Sequence, residues 1–180
     1  MNINYQETTS DLAKRIDIHN KYGSKDIDHW MLQILPLNPG INILDVGCGS
    51  GKQCFSYYNY LKGNVNVTGG DVSKDMIAEA IKKAEIEQKN IQFRVLDFNL
   101  PFGVDDNQFD LLSCCFAIYY SRDIPYTIKE MHRVLKPGGV LFTSGPMPEN
   151  KKIFYEIIHE ATQLPIPPMP GSSRYASEIF

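Results

Sequence analysis

The chain has 180 residues, 43% of them hydrophobic and 22% charged, with a formal net charge of -3. This is the composition of one ordinary globular domain, and its acidic balance argues against a nucleic-acid partner, because a phosphate backbone is met by basic surface. The longest apolar window, Leu111 to Tyr120, is too short for a bilayer span, and the opening "MNINYQETTSD" has no secretory core, so no membrane partner and a cytoplasmic location are expected.

Residues 8 to 22 set Leu12, Ile16 and Ile18 at roughly helical spacing, with Thr9 or Ser10 as N-cap and Gly23 as a stop. Residues 25 to 35 set Ile27, Trp30, Met31, Ile34 and Leu35 on one helical face, and "LNPG" then breaks the chain. Residues 1–38 therefore read as an N-terminal helical cap. From there strands and helices alternate. Strands are predicted at 41–46, 65–70, 91–96, 109–116 and 140–144, and helices at 51–61, 74–88, 124–135 and 150–162. Met76, Ile77, Ala80, Ile81 and Ala84 should line the inner face of the second of these helices. Ile153, Phe154, Ile157, Ile158 and Ala161 should line that of the last. "KPGG" at 136–139 is a turn. Strand–helix alternation with short connections implies right-handed crossovers and a parallel sheet over residues 39–163. The Pro-rich tail, residues 164–180, offers neither a helix interior nor a complete strand. The cysteines, Cys48, Cys54, Cys114 and Cys115, form no CxxC pair, and reduced structural thiols are expected, with no metal.

The chemistry concentrates in "ILDVGCGSGKQ" (43–53). A P-loop would need a glycine where Val46 stands and a hydroxyl where Gln53 stands. A dinucleotide fingerprint would need a third glycine where Lys52 stands, to let helix and strand pack closely. The motif is G-x-G-x-G, preceded by Asp45, an anion that repels pyrophosphate and suits a ligand carrying an ammonium or sulfonium. Asp71 falls at the end of the second strand, spaced to emerge beside the glycine loop and accept from both hydroxyls of a ribose. Asp97 falls at the end of the third, where a carboxylate can accept from an exocyclic amine and the Phe98 N–H can donate to a ring nitrogen. Three such anchors on neighbouring strand ends fit the ligand-binding edge of an open α/β sheet.

With these motifs the sequence resembles the class I S-adenosylmethionine-dependent methyltransferases, nearest the branch of the ubiquinone and menaquinone enzymes. "ILDVGCGSG", "GGDVSKDMIAEA" and "FRVLDFNLPF" are similar to that family's first three motifs, and "FDLLSCCFAIYYSRDIPYTIKEMHRVLKPGGVLF" to its fourth strand, helix and fifth-strand turn. The resemblance implies a Rossmann-like α/β three-layer sandwich with a mostly parallel sheet in the order 3-2-1-4-5. It implies S-adenosyl-L-methionine as cofactor, S-adenosyl-L-homocysteine as product, and methyl transfer to a small-molecule acceptor by in-line displacement. Gly47, Cys48 and Gly49 would lie along the methionine moiety, with Asp45 supporting them. Asp71 would hold the ribose, Val72 and Met76 would flank the adenine, Asp97 and Phe98 would read its edge, and Cys115 and Phe116 would border the donor.

The sequence departs from the family pattern in two places. Tyr119-Tyr120 stands where relatives often carry a histidine pair, and five strands are found where the family has seven. A donor-binding subunit without turnover, or one dependent on a partner, is therefore the alternative, and homo-oligomerisation is left open. No catalytic base is assigned. Tyr22 is a candidate donor contact from the N-terminal cap and Tyr119 the substrate-side candidate. His19, His29, His132 and His159 are weighed and not assigned.

Overall fold

A computed structural model describes residues 26–146 and 152–165, together with Ser10, Lys14, Asp17, Ile18, Lys21, Tyr22, Gly23 and Tyr175. The helix expected over residues 8–22 falls largely outside the described residues, as do His19, the Phe154 side chain and most of the tail.

Helix α1 (Ile27–Ile34) starts where Asp26 accepts the N–H groups of Asp28 and His29 at 2.9 and 3.1 Å, satisfying two orphan donors of its first turn. It ends at an extended Leu35, the residue before Pro36. The alternation that follows is β1 (Asn42–Val46), α2 (Lys52–Tyr60), β2 (Asn66–Asp71), α3 (Lys74–Ile86), β3 (Ile91–Val95), β4 (Phe109–Cys115), α4 (Ile124–Val134), β5 (Leu135–Ser144) and α5 (Lys152–Thr162). A 3-10 turn, Ile118–Tyr120, separates β4 from α4. The five strands form one sheet, β3-β2-β1-β4-β5, in which every pairing is parallel. The order is the expected one.

Parallel strands covered on both faces must be apolar on both, and β1 and β4 are. Ile43 and Leu111 turn to one layer with Met31, Cys54, Phe55, Tyr57 and Ile77. Leu44, Val46, Leu112 and Cys114 turn to the other with Phe102, Ile118, Ile124 and Met131. Each buried aliphatic side chain there contributes about 1.5–3 kcal/mol. Adjacent Cys114 and Cys115 part in the same way, one into each layer.

Three expectations are corrected. Ile81 is 39% exposed and not part of the inner face of α3, which is made by Met76, Ile77, Ala80 and Ala84. In α5, Ile153, Ile157 and Ile158 are exposed, at 72%, 59% and 37%, so the face read as inner is not a core face. The fifth strand begins at Leu135 and not at residue 140: its register jumps from Phe109↔Leu135 to Leu111↔Val140, so the predicted turn is looped out of a strand that has already begun. Gly138 sits in that loop at φ +80°.

Candidate functional site

Between β1 and α2 the chain turns through Gly47, Gly49 and Gly51, all at positive φ. A side chain in this region costs about 1–2 kcal/mol per residue. Space is a second demand. A Cβ on Gly47 would lie 2.4 Å from the Ala117 Cβ, and one on Gly51 would lie 2.8 Å from the Phe93 ring. The loop is tied to β2 by two N–H groups, those of Gly47 and Cys48, which donate to the Gly70 carbonyl at 2.7 and 3.1 Å.

Asp71 closes β2 and is 9% exposed. One carboxylate oxygen accepts the Gly49 N–H at 2.8 Å, and the other accepts the Ser73 N–H at 2.9 Å. A single side chain thus orients the glycine loop and the start of α3. Val72 follows it, 54% exposed, while Met76 is only 1% exposed and belongs to the packed interior. Beyond β3, Asp97 Oδ1 accepts from both the Asn99 backbone N–H (2.9 Å) and the Asn99 carboxamide (2.7 Å). The Phe98 carbonyl accepts from Thr127 Oγ1 at 3.1 Å, and its ring reaches to 3.9 Å from where a Gly47 Cβ would stand. The predicted anchors of the first three strands therefore converge on one edge of the sheet.

Asp45 differs from the expectation of an anion facing the ligand. It is 2% exposed and lies below the loop, where Ser113 Oγ donates to it at 2.6 Å and the Cys54 thiol at 3.5 Å. Burial pushes its carboxyl up to about 7; the bonds from Ser113 and Cys54 pull it down only in part, and the neighbouring Asp71 raises it further. The Tyr57 phenol and the Gln53 side chain on α2 are buried nearby, and burial pushes the phenol up.

At the end of β4, the Cys115 thiol lies 3.8 Å from the Met31 sulfur, and burial pushes it up to about 12. Phe116 has φ +55°, is 42% exposed, and donates its N–H to the Ser144 carbonyl at 2.7 Å. A non-glycine residue held there carries strain of order 1–3 kcal/mol, a cost that clusters at functional sites. Tyr119 is only 7% exposed, its ring 4.6 Å from that of Tyr120. Tyr22 is 73% exposed. The described histidines, His29, His132 and His159, all lie on exposed positions.

Sequence reasoning missed several members of this region. Ser113 is the one hydroxyl within the apolar run of β4 and sits in register with Asp45, a signal visible in "FDLLSCCF". Lys52, read only as a departure from nucleotide motifs, is held by Asp28 of α1 at 2.7 Å, a tertiary contact with no local signature. Tyr175, in the tail read as unstructured, is 4% exposed, stacks on Gly145 and shares a 3.1 Å hydrogen bond with Thr143.

The donor set fits S-adenosylmethionine. Its hydroxyls and exocyclic amine need acceptors, a chemistry that the Asp71 and Asp97 carboxylates could supply, and its sulfonium needs no phosphate-binding cation. Lys52, the cation next to the loop, is already paired.

The model of a methyltransferase domain matches residues 37–165. Demethylmenaquinone methyltransferase of Staphylococcus epidermidis is 36% identical over 129 residues, 69% of this chain and 52% of that protein. Ubiquinone biosynthesis O-methyltransferase of Coxiella burnetii is 33% identical over 119 residues, 66% of this chain and 49% of that protein. The chain thus spans about half the length of the curated relatives it matches. A solved S-adenosylmethionine-dependent methyltransferase from Aquifex aeolicus superposes with a TM-score of 0.66 at 21% identity, covering 87% of this chain and 89% of that one, a likeness of fold. With the glycine loop and three acidic strand ends in one place, and a family match over most of the ordered domain, the chain belongs to the class I S-adenosylmethionine-dependent methyltransferases.

Proposed function

We propose that the protein transfers a methyl group from S-adenosylmethionine to a small-molecule acceptor by in-line displacement. The observation that carries this reading is the double use of Asp71, whose carboxylate fixes the glycine loop through Gly49 and the start of α3 through Ser73. Each oxygen keeps a lone pair for a ribose hydroxyl. Gly47, Cys48 and Gly49 let the methionine portion approach bare backbone. Val72 covers one adenine face with Met76 buried behind it, and Asp97 and the Phe98 N–H take the adenine edge. Cys115 and Phe116 border the methyl-bearing end, Tyr119 supports the acceptor side from within, and Tyr22 belongs to the covering segment.

The cofactor supplies an already activated methyl on a cationic sulfur. The chain's task is to hold the acceptor collinear with it and exclude water. A cavity of about 430 Å³ beside Phe116, lined also by Ile27, Trp30, Phe142, Ser144 and Tyr175, suits a flat apolar acceptor. The Ser144 hydroxyl is buried there, beside the Cys115 thiol. The relatives' names, demethylmenaquinone methyltransferase and ubiquinone biosynthesis O-methyltransferase, point to a quinone-type ring.

Calorimetry with S-adenosylmethionine, S-adenosylhomocysteine and NAD tests the donor: binding of the first two and not the third is expected. Asp71→Ala should weaken donor binding by about 1–3 kcal/mol, the range for hydrogen bonds to a charged group. Unchanged affinity sinks the ribose assignment. Transfer of tritium from labelled donor to quinone precursors tests turnover. Binding without transfer supports the second reading, a donor-binding subunit that needs a partner, favoured by β5, which has no strand on its outer edge among the described residues.

A further inference from the structure

We propose that Asp45 lets the site tell the cationic donor from its neutral product, by giving up a proton when the donor binds and keeping it when the product does. This rests on the methyl-transfer reading above.

The carboxyl lies at the end of β1, two residues before Gly47, beneath the loop along which the ligand's charged end is proposed to run. Among the described residues its surroundings supply no counter-ion. From β4 come the Ser113 hydroxyl and the thiols of Cys114 and Cys115; from α2 the Cys54 thiol and the Tyr57 phenol; from the loop the Cys48 thiol; from β2 a second carboxyl, Asp71. All of these are neutral or acidic groups. A buried carboxylate in such a setting is costly unless a positive charge arrives, and otherwise it holds a proton. The carboxyl is poised near neutrality, pushed up to about 7 by burial.

The two ligands differ in charge by one unit, located on sulfur. S-adenosylmethionine carries a sulfonium, an ammonium and a carboxylate. After transfer the sulfur is a neutral thioether, and the remaining charges cancel. The donor therefore favours ionised Asp45, and the proton passes to solvent. The product offers no such field, so the carboxyl is reprotonated and the product is held less tightly than the donor at neutral pH. The carboxyl does not touch the ligand in this scheme. It is a positioning charge, felt across the loop through a protein interior that screens it less than water does.

The test is calorimetry on the full chain with S-adenosylmethionine and S-adenosylhomocysteine at about pH 5.5, 6.5 and 7.5, in two buffers of different ionisation heat. Donor affinity should rise roughly tenfold over that span with net proton release, while product affinity changes by less than about twofold. Titration of the ligands' own amino groups persists in Asp45→Asn and is thereby separated from that of Asp45. Asp45→Asn should bind both ligands and lose the donor's slope. Equal slopes for the two ligands, or a donor slope that survives in Asp45→Asn, overturn the proposal. If the variant does not fold, infrared difference spectra of the unaltered protein decide. Loss of a protonated-carboxyl band on adding donor but not product supports the assignment, and its persistence overturns it. Binding of neither ligand at any pH sinks the methyl-transfer reading itself, whereas binding of both with matching pH dependence sinks only the role of Asp45.

Discussion

The two ends of the sheet present different surfaces. On the β1–β2–β3 side, the strand tips are finished: glycines packed against Ala117 and Phe93, Asp71 bonded through both oxygens, Asp97 fixed by Asn99. On the β5 side, apolar groups stand in the open. Trp30 is 50% exposed, Phe116 42%, Ile153 72% and Ile157 59%. One region fixes its strand tips with packed glycines and carboxylate hydrogen bonds; the other presents apolar side chains around a cavity. In the proposed reaction the two halves would rest on different physics: fixed dipoles and carboxylates for the donor, area and shape for the acceptor.

Substitutions that separate the two regions should differ widely in effect. Leu112→Ala, at a fully buried position of β4, should cost about 2–5 kcal/mol in denaturant unfolding. Ile153→Ala on α5 should stay within about 0.5 kcal/mol; a large loss there would mean that α5 is packed in solution. A pH series probes the closed side next. With its carboxyl raised from 3.8 to about 7, folded Asp45 holds its proton more tightly than the unfolded chain does. Its contribution is fully present below about pH 4 and is lost as pH rises through about 7, with a slope of up to about 1.4 kcal/mol per unit. Stability curves of the parent and Asp45→Asn should therefore diverge across that window, and parallel curves would mean that Asp45 titrates normally.

Gly51→Ala combines a left-handed backbone with a 2.8 Å approach to Phe93, and should lower stability by about 1–2 kcal/mol. A small effect is also expected at the joint between the regions. Lys52→Met breaks the ion pair to Asp28, whose members are 42% and 21% exposed, so its cost should be below about 1 kcal/mol and shrink further in high salt. A salt-independent loss of several kcal/mol would show that α1 is held mainly through this pair.

The glycines and three aspartates were legible because each obeys a local rule: an acid at a strand end, a glycine where the backbone turns left-handed. Strand order followed from the motifs that carry the family likeness, and the inner face of α3, Ile81 excepted, from periodicity alone. What escaped was decided by neighbours. Nothing near Asp45 in sequence says that Ser113, 68 residues away, will donate to it and seal it from solvent. Nothing in "KKIFYEIIHEAT" reveals that its isoleucines lie uncovered, since periodicity reports a face and not what meets it. Tyr175 likewise packs against Gly145 from inside a stretch that offers neither a helix interior nor a complete strand.

The clamp that Asp71 forms on Gly49 has a kinetic corollary. Because the anchor is in place before any ligand arrives, the floor of the site has little conformational freedom left to surrender. The Gly49 amide should already exchange slowly with deuterium in the free protein, association should proceed without a slow ordering phase, and loss of the carboxylate should be felt as much in the mobility of the empty loop as in the grip on what it holds.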